Sequence, residues 1–237
     1  MIRTLRSLPR YIVCSDTTKR PIFEFISNEI WPDHKVRVFG FADDYSFGLL
    51  QSHAHWLWFV TKCSKLKSDF NYTSESVFDT FPWPQFEMGS ATVPVAESGV
   101  APDSRSTNIS SPKSDGRGFR RDAENSRRDA RAPQTEIAKI DAVAAAAREV
   151  RGVRALYRTL ELPGANPLKD AHAALDAAVL AAYGFSAKKD LLAQLLALNL
   201  EVADKIERGE AVTAPGVPKN YPDTKKLVTE DCIRPCG

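Results

Sequence analysis

Cysteine is scarce in this sequence: Cys14, Cys63, Cys232 and Cys236 in 237 residues, with one close pair, near the C-terminus. A disulfide framework would be denser, and a structural zinc site pairs two close ligands with a second close Cys/His pair. Incidental, reduced thiols of a cytoplasmic protein are therefore expected. Long apolar runs are missing too. No stretch reaches the roughly 18 residues of a membrane-crossing helix, so no membrane partner is expected. The N-terminus "MIRTLRSLPRYIVCSD" has arginines but no apolar segment before a small-residue cleavage site, which argues against a signal peptide. Excess charge is lacking as well: 32 Lys and Arg against 30 Asp and Glu leave +2, so any basic surface has to be local. The familiar catalytic motifs (G-x-G-x-x-G after a strand, the P-loop, H-E-x-x-H, G-x-S-x-G) do not occur. No nucleophile, base and orienting group can be assembled, and the catalytic and metal-ligand sets are left blank.

What is present is an ordinary globular content, 43% hydrophobic and 26% charged, unevenly distributed. Residues 1–86 are aromatic-rich. "RYIVCS", "PIFEFI" and "KVRVFGF" read as short strands bounded by polar breakers. "SFGLLQSHAHWLWFVTKC" reads as one helix with Ser46 as N-cap, apolar around so much of its circumference that it should be largely buried. Residues 87–134 are rich in Ser, Arg, Asp, Gly and Pro and have almost no large apolar side chains. Such a stretch cannot bury enough surface to offset its ordering entropy, and a disordered linker is expected, its arginines largely cancelled by interleaved acids. Residues 135–209 carry three helical patterns. The first runs to Pro163-Gly164, the second from Pro167 to Gly184, and the third from Leu191 through Ile206 to Gly209. Short loops and apolar stripes suggest a three-helix bundle. Residues 210–237, proline-rich, should run extended over a surface. The expected fold class is α+β: a small mixed α/β unit, a disordered linker and a C-terminal helical bundle.

Two stretches carry chemistry. In "KLKSDFNYTSE", Lys65, Lys67 and Ser68 are the residue types that phosphate contacts use, and Asn71 is a type that reads base edges; an exposed loop is the plain alternative. His53 and His55 lie two apart, roughly 200° around a helix, and cannot share a metal. His53 could face a ligand or phosphate, or be a hydrogen-bonded histidine of a half-buried helix. His172 and Asp176, four apart, suit a surface pair. In "FPWP", Pro82 and Pro84 hold an extended path from which Phe81 and Trp83 project to the same side.

"FGLLQSHAHWLWFVTKCSKLKSDFNYTSESVFDTFPWPQ" (47–85) is similar to the segment that closes the target-recognition region of MmeI-like DNA adenine methyltransferases of restriction–modification systems. Their pattern is FG-x-L-x-S-x-x-H-x-x-W, then K/R-L-K-S-D-x-x-Y-S/T, then F-P-W-P. Phe47, Gly48, Leu50, Ser52, His55, Leu66, Lys67, Ser68, Asp69, Tyr72, Thr73, Phe81, Pro82, Trp83 and Pro84 stand in matching positions. The helical part resembles the C-terminal extension of the same enzymes. The linker departs from the pattern: "PQ" at 84–85 and again at 133–134 brackets a foreign stretch, which suggests an insertion or a degenerate gene.

The resemblance implies double-stranded DNA as partner and, in full-length relatives, S-adenosylmethionine as methyl donor to adenine N6. The glycine-rich F-x-G-x-G cofactor turn and the N-P-P-Y/F motif of the family do not occur here. No cofactor is therefore assigned to this chain, and a target-recognition fragment without the transfer machinery is expected. The alternatives are a specificity module docking on a separate catalytic subunit, and a nonfunctional remnant. By analogy Lys65, Lys67 and Ser68 would hold phosphates. Asn71, Tyr72 and His53 would make groove contacts, and Phe81 and Trp83 would dock on a methyltransferase domain.

Overall fold

The computed structural model describes residues 2–66, 69–86, 119–152 and 164–235. After a short helix, α1 (Ile2–Ser7), the β-branched and aromatic runs form strands β1 (Arg10–Ser15), β2 (Thr17–Thr18), β3 (Glu24–Ser27) and β4 (Val36–Phe39). Strands β3, β1 and β4 make an antiparallel sheet in that order, with Ile12 opposite both Phe25 and Phe39. Alternation along each strand gives the sheet two apolar faces. Ile12, Cys14, Phe25 and Phe39 enter the main core, while Tyr11 and Ile26 form a smaller cluster with Leu5 of α1.

Next come α2 (Asp44–Gln51) and α3 (His53–Lys62). The apolar run 46–63 thus forms two helices rather than the one expected. Ser52 breaks it by standing in extended backbone: it ends α2, and its Oγ accepts the His55 N–H at 3.3 Å to start α3. The N-cap of α2 is Asp43, not Ser46. Its carboxylate accepts the backbone N–H of Ser46 at 2.7 Å and the Ser46 hydroxyl at 3.0 Å, so Ser46 is the capped residue. As expected, the run is largely buried, and all eight residues of α2 are buried.

Strands β5 (Ser64–Leu66) and β6 (Asp69–Asn71) form a hairpin that β2 joins, giving a second antiparallel sheet in the order β2-β6-β5. A single π-turn (Ser74–Phe78) leads into "FPWP".

Helix α4 (Phe119–Gly152) begins inside the segment assigned above to a disordered linker. Its backbone is helical from Phe119, where Arg, Ala and Glu favour helix locally even without a core to bury. Residues 87–118 lie outside the described residues, as does 153–163, where the first C-terminal helix was expected to end. Helix α5 (Pro167–Tyr183) has the predicted punctuation: Pro167 in its first turn, the Asn166 side chain capping Leu168 N–H at 2.9 Å, and Gly184 at φ +70° closing it. Helix α6 (Leu191–Glu207) follows, capped by Asp190. The three helices pack through the N-terminal unit: α4 lies against both α2 and α5, and α6 seats on α3. One continuous core results, from Ile12 to Leu227.

Two long-range ties close the structure. The C-terminal tail lies along β3 as a parallel bridge: Ile233 N–H donates to Phe25 O and Ser27 N–H donates to Ile233 O, both at 2.9 Å. Beneath it, the fully buried Asp44 carboxylate accepts from Arg10 Nη2 (2.8 Å), Arg151 Nη1 (2.8 Å) and Arg148 Nε (2.7 Å). Arg10 and Arg151 also bond Thr229 and the Asp231 carbonyl, so β1, α2, α4 and the tail meet at one charge.

Candidate nucleic-acid interface

The β2-β6-β5 sheet is seated by the aromatics on its inner face. Phe70 meets Trp56 and Phe59 of α3 edge-on, with centroids at 6.3 and 5.7 Å. Tyr72, just past β6, stacks on Phe59 at 5.5 Å. Its backbone N–H donates to Asp16 O at 2.7 Å, and its hydroxyl lies 3.0 Å from His55 Nε2. Both rings are wholly buried. Burial raises the Tyr72 pKa above its ordinary value and pushes that of His55 down to about 3, so imidazole and phenol are both neutral.

Tyr72 therefore cannot make the groove contact expected of it. The same ring that would stack on a base is spent anchoring the sheet to α3. Asn71 occupies the next position, half-buried, paired with Thr17 on one side and Ser64 on the other. Lys65 pairs with Phe70 across the hairpin. Lys67 and Ser68, at the connection between the strands, lie outside the described residues. His53 opens α3 as an exposed residue, its backbone N–H held at 2.7 Å by the Asp176 carboxylate of α5. Asp176 thus pairs with a backbone amide across the helices, not in the surface pair with His172 expected from their spacing.

Phe81 and Trp83 are likewise not free to dock on another domain. They are only 4% and 2% exposed. Their rings do lie near each other, at 6.3 Å between centroids, as the extended path implies. They point into this chain: Phe81 against His55 and Trp58, Trp83 against Phe41, Tyr45 and Phe78. The Tyr183 hydroxyl donates to Pro82 O and Asn199 Nδ2 to Thr80 O, both at 2.8 Å, tying the segment to α5 and α6. The "FPWP" segment thus closes over the chain's own core.

The structure adds residues that the sequence reading passed over. Because β2 pairs with β6 (Thr17 with Asn71, Thr18 with Phe70), the cations that follow it, Lys19 and Arg20, lie beside the hairpin. The guanidinium of Arg20 sits 5.4 Å from the Trp56 ring centre. It faces α5, where burial, and secondarily Arg20, lowers the His172 pKa to about 4. "TTKR" was the available signal, but its pairing with residues 70–71 is not written in the local pattern.

Residues 12–85 match the family model described as MmeI, target recognition domain. Among solved structures, the chain is similar to the Type IIL restriction–modification enzyme MmeI in complex with DNA, with a TM-score of 0.53 and 19% sequence identity. The likeness covers 82% of this chain and 21% of that one. No curated protein matches. The chain thus spans about a fifth of the length of the solved enzyme and shares the fold of that portion. The motif read at 47–85 falls inside the stretch, 12–85, that matches the MmeI target-recognition model.

Proposed function

We propose that this chain is a duplex-DNA target-recognition module of a restriction–modification enzyme, contributing recognition to a site-specific adenine-N6 methyltransferase. The observation that carries the reading is the family match across 12–85, which contains the whole β2-β6-β5 sheet. In this reading the sheet is the part offered to DNA. Its inner face is consumed by Phe70 and Tyr72 against α3, which leaves Asn71, on the opposite face, for the duplex, with Lys65 directly opposite Phe70 on the edge strand β5. Lys65, Lys67 and Ser68 then contact phosphates and Asn71 a base edge, while His53, at the opposite end of α3 from β5, would make a separate contact.

The methyl donor does not fit the described residues. Both sheets are antiparallel. The turn from β4 into α2 carries the single glycine Gly40, and the α2 N-terminus is already filled by the Asp43 carboxylate. A nucleoside cofactor needs a glycine-rich turn with open N–H groups at a helix start. No step is therefore routed through S-adenosylmethionine in this chain, and transfer would belong to a catalytic domain or subunit carrying the missing motifs.

The test is binding of the full chain to a mixed-sequence duplex across a salt series, with a methyl-transfer assay alongside. Affinity should fall steeply with salt, as phosphate neutralisation requires, and transfer from labelled donor should be blank. Salt-independent or undetectable binding would sink the recognition reading. Turnover would sink the division of labour.

A further inference from the structure

The register of the β2-β6-β5 sheet aligns three polar side chains in one row. Thr17 of β2 and Ser64 of β5 both stand directly opposite Asn71 of β6, one on either side. Residues opposed in antiparallel strands share a face, and successive residues of a strand alternate between faces. Phe70 and Tyr72, on either side of Asn71 in the chain, pack inward on Phe59 of α3. Asn71 and its two partners therefore face away from the core. Burial agrees: Thr17 and Ser64 are exposed and Asn71 is half-buried.

The row offers two hydroxyls and an amide, each able both to donate and to accept. None of the three side chains has a hydrogen-bond partner among the described residues. Asparagine is poorly suited to a strand, and here its amide makes no internal bond that would repay the position. The row is also held in place: two aromatic rings pin β6 from beneath, and Ser15 Oγ donates to Thr17 O at 3.0 Å. With strands about 4.8 Å apart, the row is ~10 Å from end to end. Bases follow one another at about 3.4 Å along a strand of duplex, so the row spans about three base-pair steps.

We infer that Thr17 and Ser64, with Asn71 between them, form the base-reading row of this module, the hydroxyls contacting base pairs on either side of the one that Asn71 reads. The inference rests on the DNA-recognition reading above and adds which face meets the bases. To test it, the full chain selects from a pool of duplexes with a randomised centre, and the bound molecules are sequenced. Wild type is compared with Thr17→Val, Ser64→Ala and Asn71→Ala, each with a thermal melt and a salt series. Wild type should enrich a defined site. Each variant should lose about 5- to 100-fold of discrimination at its own base pair, with Thr17→Val and Ser64→Ala acting on opposite sides of the pair lost in Asn71→Ala. The slope of log K against log salt should stay unchanged, because no phosphate contact is removed. Thr17→Val and Ser64→Ala alter exposed positions and carry the test by themselves if Asn71→Ala melts low. Variants that keep the wild-type site, or that lose slope rather than preference, would overturn this inference alone. Salt-dependent binding by wild type that selects no sequence would do the same. Absence of salt-dependent binding by the wild-type chain would overturn both this inference and the reading it rests on.

Discussion

Replacing Asp44 by asparagine should be among the most damaging near-isosteric changes in the chain. The carboxylate is wholly inaccessible and is the shared acceptor of three arginines, two of whose side chains are also buried: Arg10 at 1% and Arg151 at 3% exposure. Burial lowers the Arg10 pKa below its ordinary value and the Asp44 charge works against that shift, so the pair is balanced only while the aspartate is ionised. Asparagine keeps an acceptor oxygen but not the charge, leaving Arg10 without a carboxylate and Arg151 with only Asp231, itself half-exposed. Removing one member of a buried ion pair costs about 3–5 kcal/mol. The retained acceptor puts Asp44→Asn near the low end, about 3 kcal/mol. At about 2–4 °C per kcal/mol for a chain of this size, the melting temperature should fall by about 6–12 °C. Arg148→Gln touches the same carboxylate from a side chain 39% exposed and should cost at most about 1 kcal/mol. Urea titrations of wild type and both variants, followed by circular dichroism, measure the contrast. Equal losses for the two variants, or less than about 1 kcal/mol for Asp44→Asn, would refute the claim that this node holds sheet, helices and tail together.

Two further predictions follow from the core. Because burial holds His55 at a pKa of about 3 against 6.5 for the free group, the unfolded chain binds a proton between those values that the native chain refuses. Stability should therefore rise with pH from about 3 to 6.5 by up to roughly 1.4 kcal/mol per pH unit from this group. His55→Gln should flatten the dependence by that slope, and matching urea midpoints for both proteins at pH 5 and 7, relative to their own maxima, would contradict it. Gly48, on the face of α2 packed against α4 and α5, leaves only tight room for a side chain. A Cβ there would lie 3.0 Å from both Ala147 Cβ and Val143 Cγ1 and 3.3 Å from Leu175 Cδ1. Gly48→Ala should thus lose about 1–3 kcal/mol to overpacking, outweighing the helix-propensity gain of about 1 kcal/mol; a stabilised variant in chemical denaturation would show that the helices can part.

Features governed by neighbours in sequence were legible without coordinates. Pro167 and Gly184 mark the ends of α5 because a missing N–H and a left-handed φ are local constraints. The apolar run at 46–63 announced its own burial because no arrangement of it leaves an apolar face small enough for water. Its division at Ser52 was hidden, since the hydroxyl's alternative hydrogen bond leaves no trace in hydrophobic spacing. The α4 start at Phe119 was missed for a related reason: composition speaks of whether a segment can bury a core, not of whether its backbone can turn helical.

Assembly decided the rest. Tyr72, Phe81 and Trp83 are equally at home on a binding face or in a core, and nothing near them in the chain distinguishes the two. Only the positions of α3, α5 and α6 made them interior. Likewise Thr17 and Thr18 reach the hairpin through pairing with residues some fifty positions away, and Arg10 meets its tail partners 219 and 221 residues on. Turns and caps are set by sterics within a few bonds, so a short stretch of sequence records them. Which distant segments touch is set by the free energy of the whole packed interior, and no single stretch records that.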